Sequence, residues 1–341
     1  MPELRTSSPI ASRTPHEPRN VHLGYETALS VLFQLPPSIL RAGKLQKADP
    51  MQPAPRKPDL LRAEAQLNAL LPCPPEKPLH IMVGAQRCRP AKPWHIHRSS
   101  VRIRGASQIN LAEHLLIPTA PAVLVQMATR LPFAQLVELG FRLCGTYRSG
   151  APSTDTIFDQ HPLTTSAQLS AFIGTNPHLA GARRAQRALA YISDGSASPR
   201  ETQTAILLAL PMRLGGYGLG SPLMNHKLPA TREARSIAGR RSFRCDLFWK
   251  DAKLDVEYQS QEFHSNERSR INDSRRANAL RAMGCTVVSI TNDELDSIAA
   301  MDVIAASIAK SRGKQFRITV ERYRERQIEL RRQLKLPIAF R

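Results

Sequence analysis

The sequence predicts an α/β protein whose C-terminal half is a mixed sheet flanked by helices, preceded by a smaller α+β region. The main observation is the order of segments between Ser198 and Ile290: a helix start, two β-rich runs, a helical stretch and a further β-rich run. The length of 341 residues is enough for two domains that each bury a core. No apolar run reaches the roughly 20 residues of a membrane helix. Met1 to Arg19 also lacks the apolar segment of a signal peptide, so we expect a cytoplasmic protein with no membrane partner.

Composition divides the chain into four parts. We expect a disordered tail over 1–19, an α+β region over 20–192 with a linker near 45–58, the mixed-sheet domain over 193–312, and a basic helix within 313–341. Apolar spacing predicts helices over Tyr25–Gln34, Ala120–Arg130, Phe133–Leu143, 163–174, Ala180–Ile192, Ala299–Lys310 and Ile318–Gln333. Short strands are predicted at His80–Val83 and Val101–Arg104.

Two β-rich runs, Phe243–Trp249 and Leu254–Tyr258, are separated by a polar break of hairpin length. If the turn is centred on residues 251–252, Asp246 lies opposite Glu257, and residue 244 lies opposite residue 259. Because an Asp-Ala turn centre is not a favoured hairpin pair, a shift of the register by one residue stays open.

Opposed carboxylates repel each other, so the pairing of Asp246 with Glu257 needs a reason. A divalent cation held between them removes the repulsion, and Mg²⁺ binds one or two carboxylates while keeping several waters. Alternation places Asp255, Glu257 and Gln259 on one face of their strand and apolar neighbours on the other. Taken singly, each acid is equally consistent with an ordinary solvated strand residue.

Two further pairs of residues have both a structural and a functional interpretation. Ser198 and Glu201 form a capping box at a helix start, and a glutamate in that place can also reach a metal. Asp273 and Arg276 are neighbours on one helix face, where an ion pair is the ordinary outcome. They share the stripe of Leu280, which faces the sheet, so the pair is also expected to support a site.

Charge points to a nucleic-acid partner. Lys and Arg number 48 and Asp and Glu 28, which gives a net charge of +20 and a pI near 10.5. Such a balance favours phosphate-rich ligands through counterion release. His80, His95, His97 and His114 match no metal-ligand spacing, so we expect ordinary strand and loop histidines there.

Residues 196–296 resemble the PD-(D/E)XK endonuclease-like domain related to very-short-patch repair endonucleases. The matching segments are Ser198-Pro199-Arg200-Glu201, Arg244-Cys245-Asp246, Glu257-Tyr258, His264, Asp273-Ser274-Arg275-Arg276 and Gly284-Cys285-Thr286-Val287. The resemblance implies a restriction-endonuclease-like sheet and Mg²⁺- or Mn²⁺-dependent hydrolysis of phosphodiester bonds, with DNA as the first expectation. It implies catalytic roles for Glu201, Asp246, Glu257 and Gln259, metal ligation by Asp246 and Glu257, nucleic-acid or phosphate contacts from Arg244, His264 and Arg276, and a supporting role for Asp273. Residues 20–192 are loosely similar to the region that precedes this domain in abortive-infection antitoxin-like proteins.

Two departures from the family pattern keep other functions open. Gln259 and Ser260 stand where the family has Asp and Gly, and Gln259 also stands where the superfamily's usual lysine would supply a positive charge. This departure favours a non-catalytic nucleic-acid-binding regulator, toxin–antitoxin-like, that retains the fold. The retained pair of Asp246 and Glu257 favours the enzyme. A purely structural or protein-interaction module would show no salt-sensitive DNA binding.

Overall fold

Two mixed β-sheets flanked by helices form the framework of the chain, which confirms the α/β class. The computed structural model describes residues 17–47, 54–84, 92–150, 153–259 and 267–339. Most of the predicted disordered tail and the middle of the predicted linker lie outside the described residues. Within those residues, no helix is both long enough and apolar enough to cross a membrane.

The N-terminal region is built around a six-stranded sheet in the order β2-β5-β6-β1-β3-β4. Its strands are β1 (Val21–Leu23), β2 (Lys44–Lys47), β3 (Leu79–Val83), β4 (Trp94–Arg98), β5 (Ala106–Ala112) and β6 (Leu115–Pro118). A two-stranded hairpin follows, β7 (Arg148–Gly150) and β8 (Ser153–Ile157). The helices are α1 (Tyr25–Gln34), α2 (Pro37–Ala42), α3 (Lys57–Leu70), α4 (Ala120–Met127), α5 (Phe133–Cys144), α6 (Ser166–Thr175) and α7 (Ala182–Leu189).

The sequence locates the helices of this region better than its strands. Helix α1 has the predicted bounds, and α4 to α7 each lie within a few residues of theirs. The predicted strand Val101–Arg104 is wrong, because the backbone there is held by side chains of another segment. Arg104 N–H donates to Asn176 Oδ1 at 2.7 Å, and a ring nitrogen of His178 lies 2.9 Å from the carbonyl of Arg102.

The C-terminal region contains a four-stranded sheet in the order β12-β11-β10-β9. Its strands are β9 (Leu223–Pro229), β10 (Ser242–Trp249), β11 (Leu254–Gln259) and β12 (Thr286–Thr291). The helices are α8 (Pro199–Ala209), α9 (Arg232–Ala238), α10 (Glu267–Ala282), α11 (Asn292–Asp296), α12 (Ile298–Ser311) and α13 (Tyr323–Gln333). Strands β9, β10 and β11 pair antiparallel, and β12 runs parallel to β11 after the crossover through α10.

The predicted register of the central hairpin is confirmed for the three residue pairs nearest the turn, whereas the predicted pairs of Asp246 with Glu257 and of residue 244 with residue 259 are not part of the ladder. Phe248 pairs with Asp255 and Trp249 with Leu254, so the turn is centred as expected and the register has not shifted. Strand β9 was not predicted, because its polar sequence lacks clear alternation. Asn225 in its middle adopts a left-handed backbone conformation with φ 48°, a region in which Asn is enriched.

Helices α8 and α10 pack on opposite faces of this sheet. Leu247 and Trp249 belong to the apolar cluster that includes α8, whereas Phe248 belongs to a second cluster with Ala279 and Leu280 of α10. Since side chains alternate along a strand, neighbours in sequence point to different helices. The larger cluster extends from β1 to residues beyond α13, so the two regions share one core.

A glycine-rich run, residues 215–220, connects α8 to β9 through close packing. The N–H groups of Tyr217, Gly218 and Leu219 donate to carbonyls of α8 or its C-cap at 2.8 Å, so this run is not an anion-binding loop. A Cβ on Gly216 would lie 2.1 Å from the carbonyl oxygen of Leu210. The run is therefore rich in glycine because backbone approaches backbone there.

Helix α13 docks against this packed region. The Tyr323 hydroxyl donates to the carbonyl of Gly216 at 3.0 Å, and buried Arg331 donates to three backbone carbonyls near α11 and the following tail. The predicted helix started at Ile318, five residues early. Arg322, in the left-handed region at φ 55°, precedes its first turn.

Candidate acidic site

Asp246 lies at an irregular point of β10. Cys245 and Phe248 both belong to the α10 cluster, so strict alternation is broken between them, at Asp246 and Leu247. The described pairing of β10 with β11 ends at Leu247, and Tyr258 N–H donates instead to Asp246 Oδ2 at 3.1 Å. The carboxylate thus accepts a hydrogen bond in place of a backbone carbonyl where the two strands separate. Irregularities of this kind change the direction in which side chains of the strand point.

Two other predicted acids, Glu257 and Glu201, are close enough to Asp246 to raise its pKa. The pKa of Asp246 is raised to about 7, first by burial and then by the charges of Glu257 and Glu201. The hydrogen bond from Tyr258 and the charge of Arg276 act in the opposite direction. Without a cation, this carboxyl is therefore about half protonated at neutral pH.

Glu201 has the first of its two predicted roles, that of a helix cap, and its reach to a metal stays a prediction. It accepts from Ser198 Oγ at 3.0 Å and from Ala197 N–H at 3.1 Å, so it is a capping residue at the start of α8. Ser198 Oγ accepts in turn from the Glu201 N–H, as in a capping box. The side chain is 8% exposed, and its charge nevertheless contributes to raising the pKa of Asp246.

An amide connects Glu201 to an exposed arginine. Asn225 Nδ2 donates to Glu201 Oε2 at 2.6 Å, and Arg244 Nε donates to Asn225 Oδ1 at 2.6 Å. Arg244 was predicted as a phosphate contact, and it lies at the rim of the site with its side chain exposed. Asn225 was not predicted, since a single Asn in a polar segment carries no spacing signal.

Arg276 binds the acids of β11 from the α10 side. It donates to both carboxylate oxygens of Glu257, with Nε at 3.2 Å from Oε2, and its Nη2 lies 3.6 Å from Asp255 Oδ2. Arg276 therefore belongs to the site, as predicted, but as an internal partner of Glu257. Asp273 is exposed and does not take part in this contact, so the predicted pairing of Asp273 with Arg276 gives way to the strand acids.

Asp255 is a fully buried acid. The sequence predicted the face of β11 on which it lies but gave it no role in the site. Neither of its carboxylate oxygens has a hydrogen-bond partner among the described residues. Burial raises the pKa of Asp255 to about 9, and the neighbouring Glu257 acts in the same direction. We therefore describe Asp255 as protonated at neutral pH, which leaves the charge of Arg276 to Glu257.

Gln259 and His264 are the remaining predicted site residues. Gln259 is exposed at the end of β11, where its Nε2 lies 3.3 Å from Ser289 Oγ on the parallel neighbour β12. His264 lies outside the described residues. The catalytic role of Gln259 and the phosphate contact of His264 therefore stay predictions.

The donors fit a hydrated ion better than an all-protein cage. Among the described residues, no group of three or more His, Cys, Asp or Glu side chains has the arrangement of a metal site. Mg²⁺ needs only one or two carboxylates with water in its remaining positions. The two predicted metal ligands are Asp246, whose pKa is raised, and Glu257, which is paired with Arg276.

A second cluster of titratable groups lies on the N-terminal sheet. His80 of β3 stacks against His95 of β4 with ring centroids 5.1 Å apart, and His80 Nδ1 lies 2.8 Å from His97 Nε2. Glu26 Oε2 lies 3.2 Å from the same nitrogen of His80. Burial and the neighbouring histidines lower the pKa of His97 to about 4, so it is neutral at physiological pH. The sequence predicted ordinary histidines and did not indicate this stacking.

Comparison with known proteins gives no match. No family model matches the chain, and neither does any curated protein or solved structure. The fold and the site thus define an α/β protein with a cluster of carboxylates on a mixed sheet. The family resemblance of residues 196–296 stays a prediction from its motifs.

Proposed function

We propose that this chain is a metal-dependent nuclease that hydrolyses phosphodiester bonds in nucleic acid, with DNA as the first substrate to test and Mg²⁺ or Mn²⁺ as cofactor. The observation that carries the proposal is the burial of Asp246 and its repulsion by Glu257 and Glu201, which together raise its pKa to about 7. A cation would relieve this repulsion, and phosphodiester hydrolysis is chemistry for which such ions are used. Among the described residues, the motifs that resemble the endonuclease family lie on or next to α8, β10, β11, α10 and β12.

Each side chain has a defined task in this mechanism. Asp246 and Glu257 would hold the ion, which when bound activates water and stabilises charge on the phosphate. Arg276 fixes the carboxylate of Glu257 from the α10 side through two donors. Glu201, held by its cap and by Asn225, would orient the attacking water. Arg244, at the exposed end of this chain of hydrogen bonds, would contact the phosphate.

A second candidate is a non-catalytic nucleic-acid-binding regulator. The specific observation in its favour is that Arg276 already supplies a positive charge to Glu257 inside the protein. Gln259, which stands in place of the usual lysine, adds no charge of its own. Both candidates bind nucleic acid through the net charge of +20, and for both we propose a cytoplasmic location.

Cleavage assays separate these two functions. Wild-type protein should nick plasmid DNA, or degrade RNA, with Mg²⁺ or Mn²⁺, and Asp246→Asn should abolish that activity. Binding by the variant should be unchanged or tighter, because a charge that repels phosphate is removed. Glu325→Gln, which alters an exposed acid on α13, is the matched control and should cleave like wild type.

The outcomes assign the function. Equal cleavage by wild type and Asp246→Asn would show a contaminant and refute the site. Salt-sensitive binding without cleavage of any substrate would favour the regulator, with Gln259 as the first residue to examine. Affinity that is absent at low salt, or that does not change with salt, would refute both, because phosphate contacts release counterions.

A further inference from the structure

A cleft of about 720 Å³ opens beside the acidic site on the α8 side of the sheet. Its walls come from the β7–β8 hairpin, the first turn of α8, the end of β11, the start of α11 and the segment after α13. This volume is in the range of roughly 300–1,000 Å³ that holds small ligands in proteins. Apart from Glu201, the residues that line the cleft have no task in the mechanism described above.

The walls of the cleft combine three kinds of chemistry. Phe158 and Tyr258 supply aromatic rings, and Phe158 is 55% exposed. Gln203 and Asn292 supply amides, and the Asn292 Oδ1 accepts from the Tyr258 hydroxyl. Arg200 and exposed Lys335 supply positive charge. A ligand that matches these walls has a flat ring, a hydrogen-bonding edge and a negative group, and a nucleotide has all three.

The cleft is continuous with the carboxylates. Glu201 and Tyr258 line it, and these residues also belong to the surroundings of Asp246, since Tyr258 N–H donates to that carboxylate at 3.1 Å. Arg200 is fixed at the mouth by its ion pair with Asp296 at 2.7 Å. A strand whose phosphate lies at Asp246 therefore has its neighbouring nucleotide next to this cleft.

We infer that the cleft receives the base of an unpaired nucleotide beside the phosphate at the acidic site, so that the substrate class is single-stranded or locally unpaired nucleic acid. The inference rests on the proposed function, because it uses the position of the phosphate at Asp246. A paired base cannot enter, since its hydrogen-bonding edge is occupied by its complement and its faces by the stack. Aromatic residues make up only 5% of the chain, yet two of them line this cleft.

Binding measurements test the inference without cleavage. The full chain carrying Asp246→Asn is titrated, without divalent ion, into a labelled single-stranded oligonucleotide and into the same sequence as a duplex. The single strand should bind more tightly. Phe158→Ala added to this protein should weaken single-strand binding about tenfold, within the range of base stacking on an aromatic residue, and leave duplex binding unchanged. Phe158→Trp should preserve the preference.

Ile157→Ala is the matched control, because Ile157 is the adjacent residue, is 57% exposed and does not line the cleft. It should change neither affinity. Duplex binding as tight as single-strand binding, or equal losses from Phe158→Ala and Ile157→Ala, would overturn the inference without refuting the proposed nuclease activity of the wild type. Conversely, if single-strand binding depends on Phe158 but the wild-type protein cleaves no substrate, the inference about the cleft is supported and the proposed nuclease function is refuted.

Discussion

Replacing Asp246 with Asn should stabilise the protein at alkaline pH and not at acid pH. The pKa of Asp246 is raised from its ordinary value of 3.8 to about 7, chiefly by burial. A carboxyl with a raised pKa favours folding when protonated. Its contribution is therefore fully present below the unfolded pKa of about 4 and is lost as the pH rises through about 7. Asn stays neutral throughout, so the variant does not lose this contribution.

The size of the effect follows from the shift. A difference of about three pH units corresponds to about 4 kcal/mol, at roughly 1.4 kcal/mol per unit. Asp246 retains some exposure, and solvent screening reduces the difference, so we expect about 2 kcal/mol at pH 8. The amide oxygen of Asn can still accept from Tyr258 N–H, so the hairpin should stay paired.

Urea denaturation of wild type and Asp246→Asn across pH 4.5–8.5 measures this difference. The free energies of unfolding should agree at the acid end and diverge as the pH rises through about 7. Asp273→Asn, a change at an exposed helical position, should show no such divergence. Added Mg²⁺ should stabilise wild type at pH 8 and leave Asp246→Asn unchanged. A variant that is less stable than wild type at pH 8 would refute the description of Asp246 as a repelled, buried acid.

Two further predictions concern stability. Arg276→Gln should lower the free energy of unfolding by about 3 kcal/mol, because it leaves the Glu257 carboxylate without its buried cation. Arg275→Gln, at the exposed neighbouring position, is the control, and equal losses would contradict the role of Arg276. Gly216→Ala should destabilise by more than about 2 kcal/mol, since its Cβ would strike a backbone oxygen, whereas Gly174→Ala, in α6 with open space around it, should stabilise by about 1 kcal/mol. Thermal unfolding measures the stability of both glycine variants. If Gly216→Ala is more stable than Gly174→Ala, the backbone at residues 215–220 can relax to make room for the Cβ.

The sequence predicts the hairpin of the site better than its surroundings. Alternation along Leu254–Tyr258 and the polar break before it determine the register, so Asp246 and Glu257 could be placed together. The break in alternation at Asp246 could not be predicted, since it depends on packing of Phe248 against α10. The partner of Arg276 was also missed, because local spacing suggests Asp273 while the strand acids come close only in the folded chain.

Strand β9 and the histidine cluster show the same limit in different ways. Asn225 interrupts the alternation of β9 with a left-handed backbone, so a pattern of period two does not reveal the strand. His80 and His97 come together because β3 and β4 pair in parallel, across a connection that partly lies outside the described residues. In both places the structure depends on a contact between segments that are distant in sequence, so local sequence patterns could not predict it.

The docking of α13 has a consequence for the order of folding. Gln135 and Gln203 donate to carbonyls at the end of α13 across 198 and 131 positions of the chain. Contacts of such separation form slowly, because the intervening chain must first become compact. We therefore predict that helix α13 docks late in folding, after α5 and α8 have met. Until then its arginines remain available to polyanions, so nucleic acid present during folding would compete with the completion of the core.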